Sequence, residues 1–132
     1  MPTPKIKSIL IVDDNPADNL FHQLLIDEMK VTETLSVVDD GEEALDYLRT
    51  HLDNLPSLIL LDINMPRMNG WEFLDEYQSF PLSVKSKIII IMLSTSANTK
   101  DISRSKEYLT VSNFETKPLT KESLENILDH YF

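Results

Sequence analysis

The sequence predicts an α/β protein, a doubly wound (βα)5 unit with a five-stranded parallel sheet and helices on both faces. Three observations predict it. Apolar runs of strand length alternate five times with stretches of helical spacing along 132 residues. The links between them are short, which calls for parallel strands joined by right-handed crossovers. The runs Ile59 to Leu61 and Ile88 to Leu93 are apolar throughout rather than alternating, as in strands covered on both sides.

Met1 to Pro4 reads as a loose end. Ile6 to Val12 is a β-branched strand closed by Asp13-Asp14-Asn15-Pro16. Proline cannot continue a strand but suits the first turn of a helix, which Asn15 or Asp14 can cap. Leu20, Phe21, Leu24, Leu25 and Met29 predict an amphipathic helix over 17–29, with His22 facing solvent. Thr34 to Val38 is a short second strand, and Asp39-Asp40-Gly41 a solvated turn. Ala44, Leu45, Leu48 and Leu52 mark a second helix, ended by Asp53-Asn54-Leu55-Pro56. Ser57 to Leu61 is the third strand, terminating in Asp62. Trp71, Phe73, Leu74 and Tyr77 form a short helix before Pro81, with Trp71 in the core.

Lys87 to Leu93 is the clearest strand and should be central. A helix with few apolar anchors follows over 99–109. Val111 to Thr116 is the fifth strand, followed by Lys117-Pro118. The last helix starts near Thr120 and carries Leu124, Ile127, Leu128 and Tyr131. The chain reads as a single domain over 1–132, with no linker, repeat or second unit.

Twenty-two acids against twelve Lys and Arg give a net charge of −10. That argues against nucleic acid as a partner. There is no cysteine, hence no thiolate chemistry and no disulfide, which fits a reducing cytoplasm. The longest apolar run is too short for a membrane span, and no signal peptide is legible. His22, His51 and His130 lack metal-ligand spacing.

In a parallel sheet every strand delivers its carboxyl end to one edge, the edge where such sheets keep their sites. That edge receives Asp13, Asp14, Asp62, Ser94, Thr95 and Lys117. Singly, each has a plain account: Asp14 a helix cap, Asp62 the start of a turn, Lys117 a solvated loop charge. Together they make a cleft in which three carboxylates repel and one lysine offsets a single charge. A divalent cation with hard oxygen ligands, Mg²⁺ (or Mn²⁺), removes the excess. With a lysine and a hydroxyl beside it, the cleft is equipped for phosphoryl transfer, with Asp62 placed as nucleophile.

Four pieces then stand in order: Asp13-Asp14, Asp62-x-x-Met65-Pro66 with Gly70, Ser94, and Lys117-Pro118. The chain resembles the response-regulator receiver domains of bacterial two-component signalling, over residues 6–131. The resemblance implies a flavodoxin-like sheet in the order 2-1-3-4-5. It implies that Asp62 accepts a phosphoryl group from a sensor histidine kinase or histidine phosphotransfer protein. It implies that Mg²⁺ is held by Asp14, Asp62 and the backbone carbonyl of Asn64, with Asp13 acting through water. Lys117 and Ser94 would bind the phosphoryl group. Ser94 and Phe114 would be the switch, and Asn64 and Ser96 would tune hydrolysis. Lys117-Pro118 resembles the family's cis peptide. Ser94 stands where Thr is usual and Phe114 where Tyr is common, so the switch loses a methyl and a phenolic OH.

The expected function is signal relay to a downstream protein partner through the face of the fourth helix, fifth strand and last helix, without an output domain and without turnover of an external substrate. The family works as monomers or as dimers formed on phosphorylation, and the sequence leaves both open. Two other classes compete. A flavodoxin-like electron carrier needs a phosphate-cradling loop after the first strand, where this chain has Asp13 to Asp18; a colourless protein would dispose of it. An Mg²⁺-dependent phosphohydrolase with an aspartate nucleophile fits the acids, but Asn64 stands where a second carboxylate would serve as acid and base. A receiver that never accepts phosphate is disfavoured because every required side chain is present.

Overall fold

A computed structural model describes residues 6–96 and 98–132; the expected loose end at Met1 to Pro4 lies outside them. Five strands, β1 (Ile6–Val12), β2 (Thr32–Val38), β3 (Leu58–Asp62), β4 (Ile89–Ser94) and β5 (Val111–Thr116), alternate with helices α1 (Pro16–Met29), α2 (Gly41–Thr50), α3 (Gly70–Tyr77), α4 (Leu82–Lys85), α5 (Thr99–Ser105) and α6 (Lys121–Tyr131). The sheet is parallel throughout, in the order β2-β1-β3-β4-β5. The strand order and the presence of helices on both faces match the sequence expectation.

The strand pleat sends alternate residues to opposite faces. Ile9 and Ile11 of β1, Leu58 and Leu60 of β3, and Ile91 and Leu93 of β4 pack on α1 through Ile26 and on α6 through Leu124, Ile127 and Leu128. Leu10, Val12, Ile59, Leu61, Ile90 and Met92 pack on α2 and α3, with Tyr108 closing that side. Both faces of the three central strands are therefore dry, which is why their sequences are apolar without alternation. The register pairs Val12 with Leu61, Asp62 with Leu93, and Ser94 with Thr116, so the strands end at nearly one level.

Most helix starts follow their caps. Asn15 accepts from the Ala17 and Asp18 N–H groups, Thr120 forms a capping box with Ser123, and Asn69 forms one with Glu72. Trp71 is buried as expected. Several readings need correction; Leu52, read as part of the second helix, lies beyond its end at Thr50 and is exposed. The apolar residues assigned to the inner face of α1 include Leu20, Phe21 and Leu24, which are all exposed. His22, expected in solvent, is buried on the inner face with Ile26. The cause is that this face meets a polar loop as well as the core, so it is not marked by apolar residues alone. Asp40, expected in a solvated turn, is fully buried. It caps α2 by accepting from the Glu43 N–H, and it pairs with Arg67.

The helix expected over 99–109 stops at Ser105, whose hydroxyl bonds back to the Ile102 carbonyl; Tyr108 then turns into the core while Leu109 is fully exposed. The single turn α4 was not expected. It is too short to show a period, and only Val84 of it is buried.

Candidate functional site

The carboxyl edge of the sheet builds a small acidic cleft. β1 ends and delivers Asp13, which is buried, and Asp14, which is exposed. β3 delivers Asp62 at its last residue. One carboxylate oxygen from each of Asp13, Asp14 and Asp62 lies within 4.8 Å of the others. Lys117 enters from the loop after β5, and its ammonium sits 2.6 Å from Asp13 Oδ2 and 3.2 Å from Asp62 Oδ1. The two strand-edge acids and the lysine singled out in the sequence are thus in direct contact, and Asp14 stands beside them.

The lysine is fixed by its backbone as well. The Lys117 N–H donates to the Ser94 carbonyl at 2.7 Å, and the following peptide to Pro118 is cis. Ser94 is buried at the end of β4, and its hydroxyl accepts from the Ser96 N–H at 3.2 Å. Asn64 and Ser96 are exposed, two residues beyond Asp62 and Ser94 respectively. Phe114 is half-buried on β5 against the α2–α3 core, three residues from Lys117.

The loop after β3 is held close to Asp62. The Gly70 N–H donates to the Ile63 carbonyl at 2.8 Å. A Cβ at Gly70 would press on the Asp62 carbonyl oxygen and lie 3.1 Å from the Ile63 Cα. Glycine is therefore required by close approach of backbone, not by its φ, which is ordinary. Arg67, with φ 62, reaches across to buried Asp40 and toward Glu43. It pins the same loop to the start of α2.

Electrostatics follow from burial. Burial first, and the neighbouring charge of Asp13 second, push the Asp62 carboxyl up to about 6, against the pull of Lys117. Burial works to lower the Lys117 ammonium. Hydrogen bonds to Asp13 and Asp18, with the charges of Asp62 and Asp13, overcome it and hold the group above the ordinary lysine range. The cleft thus carries an excess of negative charge that raises the cost of an ionised Asp62, which is the condition a divalent cation relieves.

Two residues at this edge escaped the sequence reading. Asp18, in the first turn of α1, accepts a hydrogen bond from the Lys117 ammonium at 2.9 Å. His22, one turn further on, accepts from the Leu119 N–H through Nε2 at 3.2 Å. A polar i, i+4 pair inside a supposedly apolar stripe was the available signal, but both partners lie about a hundred residues away in sequence.

Such an edge, with carboxylates from the first and third strands and a lysine from the fifth, defines a doubly wound α/β protein whose chemistry sits at its strand ends. The chain belongs to the response regulator receiver domain family, whose model matches residues 9–129. It is similar to the two component response regulator from Cytophaga hutchinsonii, with a TM-score of 0.90, 31% identity and coverage of 96% of this chain and 97% of that one. It is similar to the phosphorylated cyanobacterial phytochrome response regulator RcpA, with a TM-score of 0.74, 36% identity and coverage of 94% and 89%. Response regulator Rcp1 of Synechocystis sp. is 35% identical over 115 residues, covering 84% of this chain and 76% of that protein. A solved Mn(2+)-bound form of Rcp1 superposes with a TM-score of 0.68 at 30% identity, covering 94% and 90%. No helix among the described residues is long and apolar enough to cross a membrane.

Proposed function

We propose that this receiver domain stores a signal as an acyl phosphate on Asp62 and transmits it by changing which protein it binds. The observation that carries the reading is the contact of Lys117 with Asp62 and Asp13 inside a cluster of three carboxylates. An Asp62 oxygen attacks the phosphorus of a phosphohistidine on a sensor histidine kinase or phosphotransfer protein. The new O–P bond forms as the P–N bond breaks, and the electron pair leaves with the imidazole nitrogen. Lys117, aimed at Asp62 before transfer, then meets the phosphoryl oxygens.

The donor set fits Mg²⁺ or Mn²⁺, since it is all oxygen and in charge excess. Asp14 and Asp62 would hold the ion by their carboxylates and Asn64 by its backbone carbonyl. Asp13 would help through water, while its own oxygens accept from the Asn15 N–H and the Lys117 ammonium. When bound, the ion offsets the negative charge that gathers on the phosphoryl oxygens. Ser94 supplies a hydroxyl to the phosphoryl group, Phe114 changes rotamer with it, and Asn64 and Ser96 set how readily water reaches the acyl phosphate. The resulting population shift is expressed on the α5–β5–α6 face. Leu20, Phe21 and Leu24, exposed on α1 directly after the acidic pair, supply an apolar landing for the donor's helices. The site acts on its own phosphoryl group and turns over no external substrate, in the cytoplasm where such donors work.

Intact mass after incubation with acetyl phosphate tests this. The protein should gain one phosphoryl group with Mg²⁺, none with EDTA, and none when Asp62→Asn is made. No gain under any condition would overturn the reading.

A further inference from the structure

The Lys117 ammonium donates to Asp13 at 2.6 Å and to Asp18 at 2.9 Å, and it forms an ion pair with Asp62 at 3.2 Å. Asp13 belongs to the strand edge and Asp62 is the phosphoacceptor of the proposed reaction. Asp18 belongs to neither. It sits on the first turn of α1, with a side chain one-third exposed, and no other hydrogen bond from a side chain or from the backbone reaches its carboxylate among the described residues.

We propose that Asp18 is a positioning residue for phosphoryl transfer: it holds one ammonium hydrogen of Lys117 and so keeps the charged head against the Asp62 oxygen. This rests on the reading of Asp62 as phosphoacceptor. A lysine head on a four-carbon stem rotates freely unless its donors are committed. Asp13 alone leaves rotation about one hydrogen bond. Asp13 and Asp18 together define two of the three N–H directions, so the ammonium cannot swing away from Asp62 Oδ1, 3.2 Å off. The stem is clamped independently. Its backbone N–H is held by the Ser94 carbonyl, and two residues on the Leu119 N–H is held by His22 Nε2. Asp18 and His22 are four residues apart and so share one face of α1. That face grips the loop at the ammonium and at the backbone, and the polar character of both residues is what displaced the apolar stripe from it.

The grip differs from a structural ion pair in what it should change. Asp18→Ala removes both charge and acceptor. Asp18→Asn removes the same charge but keeps an oxygen that can accept from the ammonium. If position is what matters, Asp18→Ala slows uptake from acetyl phosphate about tenfold at saturating Mg²⁺, and Asp18→Asn recovers most of that rate. Nitrogen NMR of the Lys117 ammonium supplies a readout independent of phosphorylation. A slowly exchanging signal is expected in the wild type and in Asp18→Asn, and its loss in Asp18→Ala. Equal slowing in both variants, or a wild-type rate in Asp18→Ala, overturns the proposal. Failure of the wild type itself to take up phosphate sinks the underlying reading instead, while the ammonium signal still reports whether Asp18 orients the lysine.

Discussion

At the scale of the residue, Asp62 is a carboxylate held where ionisation is costly. Its pKa is raised from 3.8 to about 6, first by burial and then by Asp13. Between those pH values the folded chain keeps a proton that the unfolded chain has released, so this group's contribution to stability falls as pH rises through the window. Above about pH 6 the folded state carries the full cost of the charge. Asp62→Asn should therefore unfold later than the wild type at pH 7.5 without divalent cations. The gain is on the order of 1–2 kcal/mol after the lost Lys117 contact is allowed for. Thermal melts followed by circular dichroism should show the gain vanish below pH 4 and shrink when Mg²⁺ is added to the wild type. A less stable variant at neutral pH would contradict the electrostatic account. Asp62 was legible in the sequence because it closes an apolar strand with a charge, and Lys117 because it stands with Pro118 after the fifth strand. Asp18 was not, because an acid in a first helical turn is expected there on helix-dipole grounds alone, and its partner is 99 positions away.

At the scale of the element, the loop from Asp62 to α3 is a short rigid bridge. Asn69 caps α3, Gly70 presses its backbone on that of Asp62, and Arg67 ties the middle of the loop to Asp40. Gly70→Ala should force the Asp62 backbone aside. A loss of about 1–3 kcal/mol in stability is expected from overpacking. Phosphoryl uptake from acetyl phosphate should slow about tenfold through misplacement of the nucleophile. Unchanged uptake in the folded variant would show that the close approach has no bearing on the site. Strands were legible here more fully than helices. A strand dry on both faces writes its burial into every residue, as β4 does with Ile89 to Leu93. Helix α1 writes its burial on one face only, and that face holds Asp18 and His22, so its apolar spacing pointed to the solvent side. Helix α5 is anchored largely by residues outside its own periodicity: Arg104 lies over the Trp71 ring at 4.5 Å from the centroid, and Tyr108 donates to Asp75 at 2.7 Å. Such cross-element contacts leave no local pattern.

At the scale of the whole molecule, the sheet does two jobs with one topology. Its buried middle carries the stability through two apolar layers, and its carboxyl edge gathers acids from β1 and β3 with a lysine from the β5–α6 loop. The relation between the edge and α1 gives a prediction about the donor. Leu20, Phe21 and Leu24 add exposed apolar area to α1, the helix that follows the acidic pair, in a chain of strongly negative net charge, and exposed apolar area suits a protein partner better than a small one. Leu24→Asp should slow phosphoryl transfer from a phosphohistidine donor about tenfold more than it slows uptake from acetyl phosphate. Equal slowing from both donors would remove α1 from the docking surface. The fold class and the converging edge were readable in advance because alternation and strand termini are local features, and the strand order came with the family resemblance. The second grip on Lys117 and the orientation of α1 were not, because they depend on which segments meet once the sheet has closed.

The most direct test of the central claim is chemical trapping of the modified residue. The protein phosphorylated by acetyl phosphate and Mg²⁺ is reduced with borohydride, which converts an aspartyl phosphate to homoserine, and then digested and mapped by peptide mass. The account predicts one homoserine, at position 62. Homoserine at position 13, 14 or 18, or a phosphorylated protein that yields none, would contradict it.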